Sequence, residues 1–321
     1  IEICCLRNDG RSSFLNSYTN QITPTCIRTQ NSFVITVNDR FCVVLICSCL
    51  SAQNRPPNMN DLKFSPPSHF IVKLGTQPGK LWFTPSFNGW ENIPDHSRIL
   101  FVGNHTIFGL IDIPLLANEI YQQKNLFIRG MADRIHFKVP VWRSMLSYFG
   151  AVEGSRQSCT ELMTNDEPVL VFPGGGREDC KRKGEAYSLI WKKRAGFAKL
   201  AAQHNYTIIP FAAVGAEDCY DILWDANDWQ RVLPTTIWEN ATFNRLIRNG
   251  EGIMPIARGI GPFPKRVAFK FSFCPPINTT NIDAEDDKQV WQLREQVKEA
   301  IELSLRGISE INSKLSVDNH L

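Results

Sequence analysis

The chain has 321 residues, 43% of them hydrophobic, and a net charge of +3. That length buries a sizeable core in one large domain or two small ones. The hydrophobic fraction does not point to a polytopic membrane protein, and the faint basic excess marks no dedicated nucleic-acid binder, leaving local basic clusters free to meet a lipid surface.

Ten cysteines raise the question of a disulfide scaffold. Six of them (Cys4, Cys5, Cys26, Cys42, Cys47 and Cys49) crowd the first fifty residues, and none shows the C-x-x-C spacing of a zinc site. They read as free thiols of a reducing compartment. Four N-x-S/T sequons, at Asn104, Asn205, Asn240 and Asn278, exceed chance only slightly. A glycan on Asn104 would block its neighbour His105, which favours a cytosolic setting.

Residues 1–65 read as an irregular segment rich in Ser, Thr, Asn and Cys. "FVITV" and the apolar run Phe41–Ala52 are separated by Asp39-Arg40. The run is shorter than the ~20 residues a membrane helix needs, and reads as a buried strand before a shallow membrane contact. The chain does not begin with Met and no signal-peptide pattern opens it, which fits a fragment. Asn54–Phe70 is Pro-rich and reads as a linker.

Beyond it the pattern becomes regular. Arg98–Gly103, Leu126–Arg129, Pro168–Pro173, Thr207–Val214 and Val267–Phe273 are short apolar runs bounded by turn residues, the signature of buried strands. Between them lie helical patterns: "IPLLANEIYQQ" after Asp112, which can cap it, and "AGFAKLAAQH". The last, Val290 to about Ile311, repeats apolar residues at helical spacing. Alternation of strand and helix predicts an α/β domain. The expected boundaries are 66–312 for this domain and 313–321 for a tail.

Four blocks follow in chain order: "NHTIFGLID" (Asn104–Asp112), "FIRGMADRIHFKVPVW" (Phe127–Trp142), "VFPGGGRED" (Val171–Asp179) and "IIPFAAVGAED" (Ile208–Asp218). With the lead-in "NGWENIP" (Asn88–Pro94), this ordered set resembles the glycerolipid acyltransferase superfamily over roughly Trp82 to Ile308. More narrowly, it resembles the transmembrane-protein-68-like branch, related to diacylglycerol acyltransferases and to the acyltransferase halves of plant phytyl ester synthases. The resemblance implies a mixed, mostly parallel sheet flanked by helices. It also implies transfer of a fatty acyl group from acyl-CoA to a glycerolipid hydroxyl at the cytosolic face of the endoplasmic reticulum membrane, with no cofactor, metal or nucleic-acid partner.

The residues carry the same chemistry on their own terms. An alcohol attacking a thioester must lose a proton it does not give up at neutral pH, and an imidazole near its pKa accepts one. His105 is the candidate base and Asp112 the carboxylate that orients it. No G-x-S-x-G elbow and no G-x-x-x-x-G-K-[ST] loop is present, which counts against a serine hydrolase and a nucleotide hydrolase. In the resembled superfamily four residues usually separate His from Asp, and five in the narrower branch. Here six do.

Asn104, Arg129, Gly174, Gly175, Gly176, Arg177 and Glu178 are the candidate substrate-binding residues. The glycines let backbone amides approach an oxyanion and Arg177 adds charge. Arg129 either contacts substrate or pairs with an acid such as Asp133. Pro-Gly-Gly at 173–175, where phosphate-acceptor branches carry Pro-Glu-Gly, implies a neutral acceptor, mono- or diacylglycerol. A lysophospholipid or glycerol phosphate acceptor and a catalytically weakened lipid-binding protein stay open as alternatives. Lys181–Lys183 and Lys192–Arg194 are solvated surface or contacts for CoA phosphates and headgroups. Val139–Val152 is read as buried core ahead of an acyl-binding or membrane-resting surface.

Overall fold

The computed structural model describes residues 64–109, 111–259 and 264–318, together with three short strands between residues 25 and 43. The chain divides into two compact units, residues 1–63 and 64–321. In the first, β1 (Thr25–Thr29), β2 (Ser32–Val37) and β3 (Phe41–Val43) form an antiparallel sheet. The rest of the apolar run, Val44–Ala52, and the Pro-rich stretch up to Lys63 lie outside the described residues.

The second unit opens with α1 (His69–Phe83), capped by the Ser68 hydroxyl. Then come β4 (Ser86–Asn88), β5 (Ile99–Gly103), α2 (Asp112–Lys124), β6 (Arg129–Ala132), α3 (Pro140–Tyr148), β7 (Val152–Glu153) and α4 (Arg156–Thr164). They are followed by β8 (Val169–Val171), the single turn α5 (Gly176–Asp179), α6 (Gly196–Gln203) and β9 (Thr207–Val214). The C-terminal part holds β10 (Asp221–Trp224), α7 (Ala226–Val232), α8 (Thr235–Trp238), α9 (Ala241–Leu246), β11 (Ile256–Arg258), β12 (Lys270–Phe273) and α10 (Asp287–Asp318).

Seven strands form one sheet in the order β4-β12-β9-β5-β8-β6-β7. Every neighbouring pair is parallel except β9 with β12, so the sheet is mixed and mostly parallel, as expected. β5 is buried along its whole length because layers cover both of its faces. Leu100, Val102, Val169, Val171 and Ile208 face one layer, which includes Val290, Leu293, Val297 and Ile301 of α10. Ile99, Phe101, Leu170 and Ile209 face the other, with Leu115, Leu116 and Ile120 of α2. The period-two alternation of the central strands therefore builds two cores at once.

Three expectations shift. The strand expected at Leu126–Arg129 is Arg129–Ala132, because Asn125 closes α2 in a left-handed conformation and Leu126–Ile128 carry the chain back to the sheet. α1 begins inside the stretch read as a linker. The third change is larger: α3 has no buried residue, although Val139–Val152 was expected to be core. Val141 is 83% exposed, and Val139, Met145, Tyr148 and Phe149 are exposed with it. Cys159, Cys180, Cys219 and Cys274 are buried and free.

Candidate active site

Parallel pairing explains why blocks far apart in sequence converge. β5, β6, β8 and β9 run in one direction, so the residues that follow each strand leave the sheet at the same edge. That edge, outside the carboxyl ends of parallel strands, is where open α/β sheets bind ligands. His105 arrives there from β5, Asp133 from β6, the glycine turn from β8 and Glu217 from β9.

Asn104 fixes the exit of β5. Its side chain is fully buried; its amide nitrogen donates to the Ala213 carbonyl at 2.9 Å and its oxygen accepts from the Ala213 amide at 2.8 Å. It extends the β5–β9 pairing by one residue and is not turned toward a substrate.

The backbone of His105 is gripped on both sides. Its amide donates to Glu178 Oε2 at 2.9 Å, while Glu178 Oε1 accepts from the Ile190 amide at 2.6 Å. Its carbonyl accepts from Lys181 Nζ at 2.9 Å, and Lys181 is ion-paired with Glu217. Glu217 in turn accepts from the Tyr187 amide at 2.6 Å. Burial pushes both Glu178 and Glu217 up, and the Lys181 charge opposes it. Gly174 is required for this clamp, since a Cβ there would lie 2.0 Å from Glu178 Cδ.

The imidazole is engaged at both nitrogens. Nδ1 donates to the Thr106 carbonyl at 2.9 Å, and Nε2 lies 3.0 Å from Asp179 Oδ1. Burial pulls the His105 pKa down, but the charge and hydrogen bond of Asp179, the Thr106 carbonyl and the charge of Asp112 outweigh it and carry it to about 9. Gly109, at φ +53°, leaves room for the ring: a Cβ there would sit 2.4 Å from His105 Cε1.

Asp112, expected to orient the ring, holds Thr106 instead. Its Oδ2 accepts from the Thr106 hydroxyl at 2.8 Å and its Oδ1 is buried without a hydrogen bond. Burial raises its pKa, against the Thr106 hydroxyl and the His105 charge. In the longer, six-residue loop the Thr106 hydroxyl takes the carboxylate and the Thr106 carbonyl takes the ring.

The expected arginines also turn inward. Arg129 Nη1 meets both oxygens of Glu167 at 2.7 and 2.8 Å, its Nε donates to Gly150 O at 2.8 Å, and Phe64 stacks on it. The alternative partner, Asp133, pairs with Arg248 at 2.8 and 3.0 Å. Arg177 is buried against Glu185 at 2.5 Å and the Cys180 carbonyl at 3.2 Å. The cations beside the glycine turn are Arg194, bonded to the carbonyls of Pro173 and Gly174, and Arg248, 3.0 Å from where a Gly176 Cβ would stand. Gly175 itself has φ +49°.

Of Lys181–Lys183, expected at the surface, Lys181 is buried. Arg182 bonds Asn227 at 2.6 Å and Lys183 pairs with Asp228 at 2.8 Å. With Ile107, Glu217, Tyr220 and Ile222 the three line a cleft of about 350 Å³ next to the His105 clamp.

A profile of the Acyltransferase family matches residues 85–214, from the start of β4 to the end of β9. The chain carries an Acyltransferase domain. Phytyl ester synthase 2, chloroplastic, of Arabidopsis thaliana is 29% identical over 273 residues, 77% of this chain and 38% of that protein. The human "DGAT1/2-independent enzyme synthesizing storage lipids" is 31% identical over 140 residues, 44% of this chain and 43% of that protein. The crystal structure of the 1-acyl-sn-glycerophosphate acyltransferase PlsC from Thermotoga maritima aligns at TM-score 0.44 and 18% identity, covering 76% of this chain and 80% of that one. The chain thus spans less than half the length of the two enzymes compared by sequence. The Acyltransferase match takes in three of the four sequence blocks and ends just before Gly215–Asp218, whose Glu217 completes the clamp.

Proposed function

We propose that the Acyltransferase domain moves a fatty acyl group from acyl-CoA to the hydroxyl of a neutral glycerolipid, mono- or diacylglycerol, with His105 as general base. The observation that carries this reading is the His105 clamp: an imidazole fixed through Glu178 and Lys181 where three parallel strands end. With Nδ1–H committed to Thr106, Nε2 is the nitrogen that takes the proton when the acceptor oxygen attacks the thioester carbonyl. The C–O bond forms, the C–S bond breaks, and Nε2–H returns the proton to the leaving thiolate. Asp112, behind Thr106, supplies negative potential that favours the imidazolium of that step.

Two features support a neutral acceptor over a phosphorylated one. The two arginines expected to bind substrate, Arg129 and Arg177, are already ion-paired with Glu167 and Glu185; beside the glycine turn Arg248 is paired with Asp133 and Arg194 is bonded to the carbonyls of Pro173 and Gly174. The similar proteins named above for phytyl esters and storage lipids also fit a neutral product.

The acceptor would be met at a membrane surface through α3. Among the described residues no helix is long and apolar enough to cross a membrane. Yet α3 and the turn before it expose Ile135, Val139, Val141, Met145, Tyr148 and Phe149. From Arg134 to Val152 the chain holds no acid, and Arg134, Lys138 and Arg143 are exposed. An apolar face edged by Lys138 and Arg143, with Arg134 ion-paired to Glu153 at one end, suits an anionic lipid surface.

One observation favours a second reading. Nε2 is occupied by Asp179, which fits a lipid-binding protein without turnover. Incubation with labelled oleoyl-CoA and, in parallel, monoacylglycerol, diacylglycerol and lysophosphatidate separates the readings. Ester formation on the first two supports the proposal, and preference for lysophosphatidate replaces the acceptor. Bound lipid with no ester in any arm supports the second reading.

A further inference from the structure

His105 is served by two carboxylates of different standing. Asp112 lies on the closed side, 4% exposed, with one oxygen lacking a hydrogen bond. Asp179 lies on the open side, its side chain 17% exposed, at the end of the single turn α5 that follows the glycines. Only Asp179 touches the ring nitrogen that the reaction needs.

The other charges around the ring do not compete for that nitrogen. Glu178 is spent on the His105 and Ile190 amides, Lys181 on the His105 carbonyl and Glu217, and Arg194 on the carbonyls of Pro173 and Gly174. With Nδ1–H given to Thr106, a hydrogen bond from Nε2 to the Asp179 carboxylate requires a proton on Nε2 as well. The ring is then an imidazolium with no lone pair, and an alcohol arriving beside it finds no base.

The geometry points to Asp179 as a gate on the base: the entering acceptor hydroxyl must displace the Asp179 carboxylate from His105 Nε2 before acyl transfer can begin. This rests on the reading of His105 as the base. As Asp179 leaves, the Nε2 proton passes to its carboxylate and on to water, so the hydroxyl meets a neutral imidazole. After transfer and product departure the ring takes a proton from water and re-forms the pair. The pair keeps the base silent until an alcohol, and not merely water, fills the space beside it. The elevated His105 pKa, about 9, agrees with the paired state.

The test follows the His105 imidazole by NMR in ¹⁵N-histidine-labelled protein, using His105→Ala only to assign the signal. Wild type is compared with Asp179→Asn, with and without monoacylglycerol in detergent micelles, and acyl transfer is measured across the same pH range. Asp179→Asn is expected to lower the imidazole pKa by about one unit or more, and monoacylglycerol to lower the wild-type value in the same direction. The acid limb of kcat/KM should move down with it, so that the ratio of variant to wild-type activity rises as the pH falls.

An unchanged imidazole titration in Asp179→Asn, or no response of the wild-type ring to monoacylglycerol, overturns the gate. So does a folded Asp179→Asn variant that loses transfer at every pH, because Asp179 is then needed in the step. If monoacylglycerol shifts the ring but wild type makes no ester, displacement of Asp179 by the hydroxyl stands as a binding event, while the reading of His105 as the base, and with it the gate on transfer, falls.

Discussion

Lys181 donates a 2.9 Å hydrogen bond to the carbonyl of His105 although it is itself 1% exposed. A buried ammonium survives only with a partner, and Glu217 is that partner. The fourth sequence block and the segment just after the third therefore act on the first through one side chain, which sets where the imidazole stands.

Removing one half of this pair strands the other. Lys181→Met leaves the Glu217 carboxylate buried and uncompensated and should cost about 3–5 kcal/mol in urea unfolding. Adding Glu217→Gln should recover much of that loss. A double variant no more stable than the single one would show that the pair does not carry the effect.

Gly174→Ala should act at a distance from the ring. The new methyl falls on Glu178, whose carboxylate is pinned by the amides of His105 and Ile190. We expect about 1–3 kcal/mol of destabilisation from crowding and a drop in kcat of about a hundredfold from a misplaced His105. Unfolding and steady-state kinetics on the same preparation check both.

The four blocks and the sheet that joins them were legible in the sequence because each central strand is buried on both faces and so reads as an unbroken apolar run. α10 was legible for the opposite reason: one face is apolar, and Val290 to Ile308 repeat at its period. α1 was hidden because Gly75, Pro78 and Gly79 are poor helix formers and Phe70, Ile71 and Leu74 point outward. α3 was misread because an apolar helix looks alike in sequence whether or not the rest of the protein covers it. Asp179 as the partner of Nε2 was invisible, since that contact depends on two strand exits lying side by side. Lys181 sat inside a run of three cations and read as solvated surface or a contact for phosphates and headgroups, its burial being decided by Glu217 from another strand.

Stability should depend on pH through His105. Its pKa in the fold, about 9, lies above the ordinary 6.5. The folded chain holds that proton more tightly than the unfolded one. The contribution, roughly 3 kcal/mol, is fully present below pH 6.5 and is lost as pH rises through 9. Urea unfolding of wild type and Asp179→Asn over that window should converge at the alkaline end. Parallel curves would mean that the His105–Asp179 pair does not form.

Val141→Asp and Lys138→Glu probe the exposed face of α3. Both positions are exposed, so stability should stay within about 0.5 kcal/mol of wild type. Sedimentation with anionic phosphatidylserine vesicles should weaken about fivefold for Lys138→Glu and more for Val141→Asp. Unchanged sedimentation would move the lipid contact elsewhere on the chain.

The most direct test of the account is acyl transfer from labelled oleoyl-CoA to monoacylglycerol or diacylglycerol by wild type and by His105→Gln. Loss of a general base should slow the variant by about 10²–10⁴-fold while the fold, checked by circular dichroism, is kept. A His105→Gln chain that makes ester at the wild-type rate would contradict the assignment of His105 as the base.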